Sequence, residues 1–428
     1  MIPTGPPGLA RRRGRLQKNQ RKLNPRPPYG KPATRGFVQP LAAMMLVQAM
    51  TAMAVVTVPV LAPEIASSLA IDTTAVGFHQ SIAYAGAAAL TLVSGSFVLR
   101  HGGIRVNQAS VMLSAAGVAL VLTGAAPIIA LGAILAGMGY GLATPGASHI
   151  LARVTPPDRR GVVFSIKQAG VPIGGLIAGV LFPPIAKHFG WAWAIGLSCI
   201  MAASAALIIQ RLRAPLDIDR DRTHRVGIAG APGDSIRLVL STPGLRPIAL
   251  VAFSYGAVQL TLFAFLVTYL VERVALDLVA AGLLFSVMQL AGIVARVLWG
   301  WVNDRWLPAR TLLVLVGLGT LASTTALAAF SSAWPLAAVA AVSAALGMTA
   351  VGWNGVYLAE VARVMPGEKI GSATGGVLMF TFLGIVVGPS SFAAIVATTG
   401  SYTPAFIALG ALLLATVVTL ALPGRAAR

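Results

Sequence analysis

The sequence predicts an all-α integral membrane protein with twelve transmembrane helices in two six-helix bundles related by a pseudo-two-fold axis. Three observations carry that expectation. Of the 428 residues, 57% are hydrophobic and only 10% charged, whereas soluble proteins average about 25% charged. The mean hydropathy of +0.81 agrees. The apolar residues are gathered in long continuous runs. Finally, the chain repeats itself. Arg153-Val-Thr-Pro-Pro-Asp-Arg-Arg-Gly161 returns as Arg363-Val-Met-Pro-Gly-Glu-Lys-Ile-Gly371, at an offset of 210. Gly95-Ser-Phe-Val-Leu99-Arg100 returns as Gly300-Trp-Val-Asn-Asp304-Arg305, at an offset of 205. A membrane chain of two like halves is the usual build of a carrier that holds its substrate where the halves meet.

A helix needs about 20 apolar residues to cross a bilayer. Twelve runs satisfy this: 38–65, 75–99, 107–125, 128–151, 163–186, 191–210, 247–270, 279–302, 311–331, 334–360, 373–397 and 402–422. They are continuous rather than alternating, which selects helices over a β-barrel. Residues 1–37 form a basic tail ahead of them. Its first 35 positions hold ten Lys and Arg, no acid and no apolar segment, so it reads as disordered and not as a signal peptide. Residues 38–210 make the first bundle and 247–422 the second. Residues 211–246, rich in Arg, Asp, Pro and Gly, are the single long loop and read as a cytoplasmic linker with little structure. Residues 423–428 close the chain as a second cytoplasmic tail. The lone Cys199 excludes an internal disulfide and reads as a packing residue.

Charge sets the expected orientation. With the N-terminus inside, the inner segments carry 28 of the 32 Lys and Arg, and the outer loops only Lys187 and Arg273. That bias places both termini in the cytoplasm, and the Ala-rich, Arg-over-Lys composition fits a bacterial inner (plasma) membrane. The net charge of +20 would indicate nucleic acid in a soluble chain; here it follows the topology, and no nucleic-acid partner is expected. The two remaining cations, Lys167 and Arg296, lie inside spans.

The paired segments after spans 2 and 8 resemble the Gly-x-x-x-Asp-Arg signature of the major facilitator superfamily, and the resemblance covers about residues 38–422. Gly300, Asp304, Arg305 and Arg310 match the signature. The first copy keeps Gly95, Arg100, Gly102 and Arg105, but Leu99 stands where the acid is expected. The resemblance implies that Asp304 and Arg305 hold a closed cytoplasmic gate, and that the first half lacks the matching lock or uses another one. Glu360, three residues before Arg363, is expected to form a gate salt bridge with Arg305 or a neighbour. In span 4, Ala133 occupies the position of an Arg found in proton-exchanging members, which departs from the drug-exporter pattern. Gly384-Ile-Val-Val-Gly388-Pro389 in span 11 is similar to a superfamily motif and reads as close helix packing with a kink. Ala295-Arg296-Val-Leu-Trp-Gly300 resembles the eighth span of monocarboxylate transporters and oxalate/formate exchangers, which implies that Arg296 grips a substrate carboxylate.

The residues themselves support a cavity. Arg296 lies eight residues before Asp304, about 12 Å along a helix, and an ionised group at that depth faces water or a partner. Gln289 and Ser286 continue a polar stripe on the same face. Lys167 sits about 10 Å beyond the Arg159–Arg160 loop by helix rise; it is either a second positive contact or an ammonium snorkelling to the surface. Gln168 follows it, and Ala169-Gly170-Val171-Pro172 is expected to bend span 5. Gln48, Tyr140, Tyr255, Gln259, Trp353 and Asn354, on spans 1, 4, 7 and 10, complete the candidate pocket. With no carboxylate at mid-span, two cations in one cavity attract an anion. The sequence thus points to a secondary active transporter working by alternating access on a small organic anion, by proton symport or anion exchange, as a monomer in the lipid bilayer. Protons are a possible coupling ion, and no cofactor or metal is expected. No enzyme signature occurs. The alternatives are a proton-coupled exporter of drugs or amphiphiles, and a membrane receptor or scaffold on the same fold.

Overall fold

The computed structural model describes residues 36–156, 159–227, 232–365 and 369–422. Almost all of the basic tail and all of residues 423–428 lie outside the described residues. Among the described residues, twelve helices are long and apolar enough to cross a membrane. The first six are α1 (Val38–Val60), α2 (Ala75–His101), α3 (Gly103–Thr123), α4 (Ala126–Val154), α5 (Arg160–Phe189) and α6 (Trp191–Gln210). The second six are α7 (Arg246–Glu272), α8 (Leu278–Arg305), α9 (Ala309–Ala328), α10 (Leu336–Val364), α11 (Ile370–Thr399) and α12 (Tyr402–Ala421). No strand occurs among the described residues.

Apolar length makes these segments helical; small residues decide how they pack. Without a hydrophobic drive between helices in lipid, close backbone approach supplies the contact energy. A side chain on Gly137 of α4 would collide with the Ala83 carbonyl of α2, and one on Gly384 of α11 with the Phe253 carbonyl of α7. The Gly384–Gly388 motif is therefore a packing surface for α7, with Pro389 inside the helix. The helices α1 and α7 lie at the centre of their halves, with 83% and 89% of their apolar windows buried. In α5 the regular helix breaks at Ala169, between Arg160–Gln168 and Gly170–Phe189, where the sequence places a bend. A π-helical turn at Gly347–Val351 interrupts α10.

The halves meet along α2 with α11 and α5 with α8. Gly77 packs on Pro389, Ala393 and Phe265, Gly282 packs on Pro183, and Lys187 pairs with Asp277 at 3.1 Å. These contacts lie on the far side, away from the linker. On the linker side, Gly95, Gly161, Gly300 and Gly371 face open space, and Asp304, Arg305 and Leu358 are exposed. Thr144 and Gln168 are also exposed although both sit well inside their spans, so the space between the halves opens toward the linker and closes on the far side.

The linker differs from the loosely structured spacer expected. Its first part docks on the first half: Asp217 accepts hydrogen bonds from Ile104 N (2.8 Å) and Arg105 N (3.1 Å), and the backbone N–H of Asp221 donates to Leu99 O at 2.8 Å. Its second part forms a helix, Pro232–Ser241, whose Ser235 and Val239 pack on Gly376 of α11. One carboxylate, that of Asp217, and backbone groups make the first docking, and apolar periodicity does not register them.

Candidate functional site

Lys167 is 1% exposed and does not snorkel. Its ammonium donates to Gln48 Oε1 (2.6 Å), Thr144 Oγ1 (3.0 Å) and Gln168 Oε1 (3.0 Å). These come from α1, α4 and α5 and are all neutral, so every ammonium proton is used while the charge itself has no counter-ion among the described residues. Thr144 also donates to Gln48 Oε1 at 3.1 Å. Pro172, four residues on, has no N–H to give the Gln168 carbonyl, and Arg296 Nη1 of α8 reaches across the seam to it at 2.6 Å. Arg296 Nε is buried without a partner. Lys167 and Arg296 are within electrostatic reach of each other, and Arg296 of Tyr140. Tyr140 meets Tyr84 edge to face at 5.4 Å.

Gln289 lies along the same seam, fully buried against Gly175, with neither amide atom partnered. Ser286, one turn further, donates to Leu176 O at 3.2 Å and so ties α8 to α5. On the second half, Gln259 Oε1 accepts from Trp353 Nε1 (3.0 Å) and Asn354 Nδ2 (3.5 Å). Tyr255 packs on Trp353, but its hydroxyl donates to Leu313 O at 2.7 Å. That hydroxyl is committed to α9 and turned away from the seam.

Two residues missed in the sequence reading emerge. Thr144 binds Lys167 and lies four residues after Tyr140, on the same helix face; that spacing was the available signal. Tyr84 gives no such signal, because it lies alone in the apolar run Ile82–Leu90 with no other polar side chain on it. The internal repeat also runs through the site. Gln48 and Gln259 are 211 apart, and Thr144 and Asn354 are 210 apart, and the contact between each pair is repeated. The cations are not repeated: Lys167 has Val377 as its counterpart at 210, and Arg296 has Thr91 at 205. A symmetric frame therefore carries an asymmetric charge.

The gate residues on the linker side are spread out in this state. Glu360 pairs with Arg363 in its own helix, through 2.7 and 2.6 Å hydrogen bonds, and not with Arg305; three residues of helix bring the two groups together without any second element. Arg305 stands over the Trp301 ring at 5.6 Å. Arg310 donates to Leu420 O (2.8 Å) and Leu422 O (2.7 Å), closing the end of α12. Arg100 and Asp304 are exposed.

Two six-helix bundles with a polar, charged cluster on their seam, open to one side only, define a secondary membrane transporter. Residues 44–389 match the Major Facilitator Superfamily, and the chain belongs to that family. It is 24% identical over 291 residues to a hexuronate transporter of Bacillus subtilis, covering 65% of this chain and 68% of that one. It is 27% identical over 288 residues to monocarboxylate transporter 13 of Bos taurus, covering 66% and 64%. With a gentisate transporter of Corynebacterium glutamicum it shares 23% identity over 265 residues, covering 60% and 57%. The matches thus span only about two thirds or less of these relatives. Among solved structures, a D-xylose-proton symporter superposes with a TM-score of 0.69 at 16% identity, covering 90% of this chain and 97% of that one. That likeness is one of fold.

Proposed function

We propose that this transporter carries a small organic anion, a carboxylate, held between Lys167 and Arg296. One observation carries the reading: two mid-membrane cations from opposite halves share a space in which all the hydrogen-bond partners found for them are neutral. Uncompensated like charges attract an anion. Arg296 has the donors to spare, because its unpartnered Nε belongs to a guanidinium edge that suits two parallel bonds to a carboxylate. Lys167 adds charge from the other side, and Gln48, Gln168, Tyr140, Gln289, Gln259 and Asn354 supply polar contacts around it. The names of the three relatives, all transporters of carboxylate-bearing compounds, support the same substrate class. Transport proceeds by alternating access, by proton symport or anion exchange, with the linker side cytoplasmic and the far side outside.

The test is a thermal-shift screen of the detergent-purified chain against small carboxylates, inorganic anions, sugars and cationic drugs, with Arg296→Gln beside the wild type. A ligand that binds the folded state raises its melting temperature. Stabilisation by one class of carboxylate should appear and be lost in the variant, with binding weakened by roughly 30-fold or more. Stabilisation by cationic or neutral amphiphiles that survives in the variant would instead make this an exporter and Arg296 a structural residue.

A further inference from the structure

The internal repeat shows that the first half lacks two acids the second half has. Asp304 aligns with Leu99 at an offset of 205, and Glu360 with Ile150 at 210. In the second half, Glu360 neutralises Arg363. Arg153 is the repeat counterpart of Arg363, and α4 contains no acid at all. The linker brings acids to both places. Asp219 pairs with Arg153 and lies 2.7 Å from His149, both on α4. Asp217, 4% exposed, accepts the first backbone N–H groups of α3, at the turn that Leu99 precedes. Its carboxyl fills the space where a side chain on Gly102 would stand, at a backbone φ of +92°. Arg153 also donates to Leu216 O, so the same arginine holds the strap through its backbone.

We propose that the linker is the acidic gate element of the first half. Asp217 and Asp219 act as positioning residues: Asp219 neutralises Arg153 at the linker-side end of α4, and Asp217 braces the start of α3 through its backbone N–H groups. The need is electrostatic. When the linker side closes, the ends bearing Arg105 and Arg153 approach those bearing Arg305 and Arg363, and like charges repel more strongly as water leaves between them. The second half carries its own acids to that meeting; the first half borrows them from the segment that follows it. The linker then does more than join the halves, and cutting or lengthening it upstream of residue 227 changes gating.

The experiment needs no substrate and is therefore independent of the anion reading. In full-length protein with Cys199→Ala, a single cysteine replaces Ser148, one turn beyond Thr144 on the same face of α4. A membrane-impermeant maleimide then reports how often the linker side is open. In Asp217→Asn/Asp219→Asn, labelling should rise about tenfold, and adding Leu99→Asp should return it to within about twofold of the parent. Unchanged labelling in the double variant would overturn the proposal and leave the linker a spacer. Raised labelling that Leu99→Asp fails to reverse would overturn it too, since the acids would then be tethers only. Should the Asp217 variant not fold, Asp219→Asn alone decides: its carboxylate is 27% exposed, and unchanged labelling there also sinks the idea.

Discussion

Arg296 and Lys167 carry the same charge and are held differently, and the difference separates stability from function. Lys167 has spent its three protons on neutral acceptors, so its burial leaves an unpaired charge that costs folding free energy. Replacing such a charge with an apolar side chain of similar volume is often neutral or stabilising, by up to a few kcal/mol. Lys167→Met should therefore melt at or above the wild-type temperature while losing anion-induced stabilisation. A clear drop in melting temperature would mean that the three hydrogen bonds outweigh the buried charge. Glycines give a second contrast. Gly137→Ala and Gly384→Ala put a methyl group against a facing carbonyl, and overpacking of this kind typically costs about 1–3 kcal/mol. Gly95→Ala and Gly300→Ala meet nothing within 4 Å and should leave the melting temperature unchanged or slightly higher, as Ala is the better helix former by roughly 0.5–1 kcal/mol. Any fall in transport in the second pair then reports the state in which the linker side is closed, and is read by uptake beside thermal melting.

Individual helices show why some features were legible in the sequence and others were not. The twelve spans were readable because lipid demands long apolar runs, and the repeat fixed their grouping. The break in α5 at Ala169 was readable from Gly170 and Pro172. The π-turn in α10 was not, since Gly347–Val351 is as apolar as its surroundings; what distinguishes it is spatial, the close packing of Gly347 on Met288 and of Val351 on Gly292 of α8. Nor was the Tyr255 hydroxyl's choice of Leu313 over the seam, because sequence position assigns a helix but not the direction of a side chain. The start of α8 offers a measurable case. Asp277 caps it, accepting from Ala280 N at 2.7 Å, and also pairs with Lys187 across the far-side seam. The cap and the ammonium together hold this carboxyl below the usual range. Its partners are exposed, so the ion pair contributes little, about 0–1 kcal/mol, whereas a lost N-cap costs about 1 kcal/mol. Asp277→Asn keeps a capping oxygen and should melt near wild type; Asp277→Ala should melt lower, by about a degree or two. Equal losses in both would assign the stability to the ion pair.

For the whole molecule the strongest constraint is charge. A chain with 32 basic and 12 acidic side chains has few acids to set against its basic linker-side ends, and three of them, Asp217, Asp219 and Asp221, fall within five residues of the linker. Their environments push them apart in titration. Burial works against ionisation of Asp219, but the hydrogen bonds and charges of Arg153 and His149 outweigh it and hold the carboxyl below its ordinary value. For Asp217, burial prevails over the α3 N–H groups and Arg213, and its value is raised. The signs follow from linkage. Asp219 contributes stability that is fully present above the unfolded value of about 3.9 and is lost as the pH falls through its lower folded value. Asp217 contributes in the opposite sense: its term is fully present below the unfolded value and declines as the pH rises through its higher folded value. The difference in melting temperature between wild type and Asp219→Asn should therefore still be present at about pH 4.5 and shrink only below about pH 3.9. The corresponding difference for Asp217→Asn should begin to change at a higher pH. Melting curves of the three proteins over a pH series separate the two. If the Asp219→Asn difference has already vanished at pH 6, Asp219 is not held as a carboxylate by Arg153, and the strap rests on Asp217 and the backbone contacts instead.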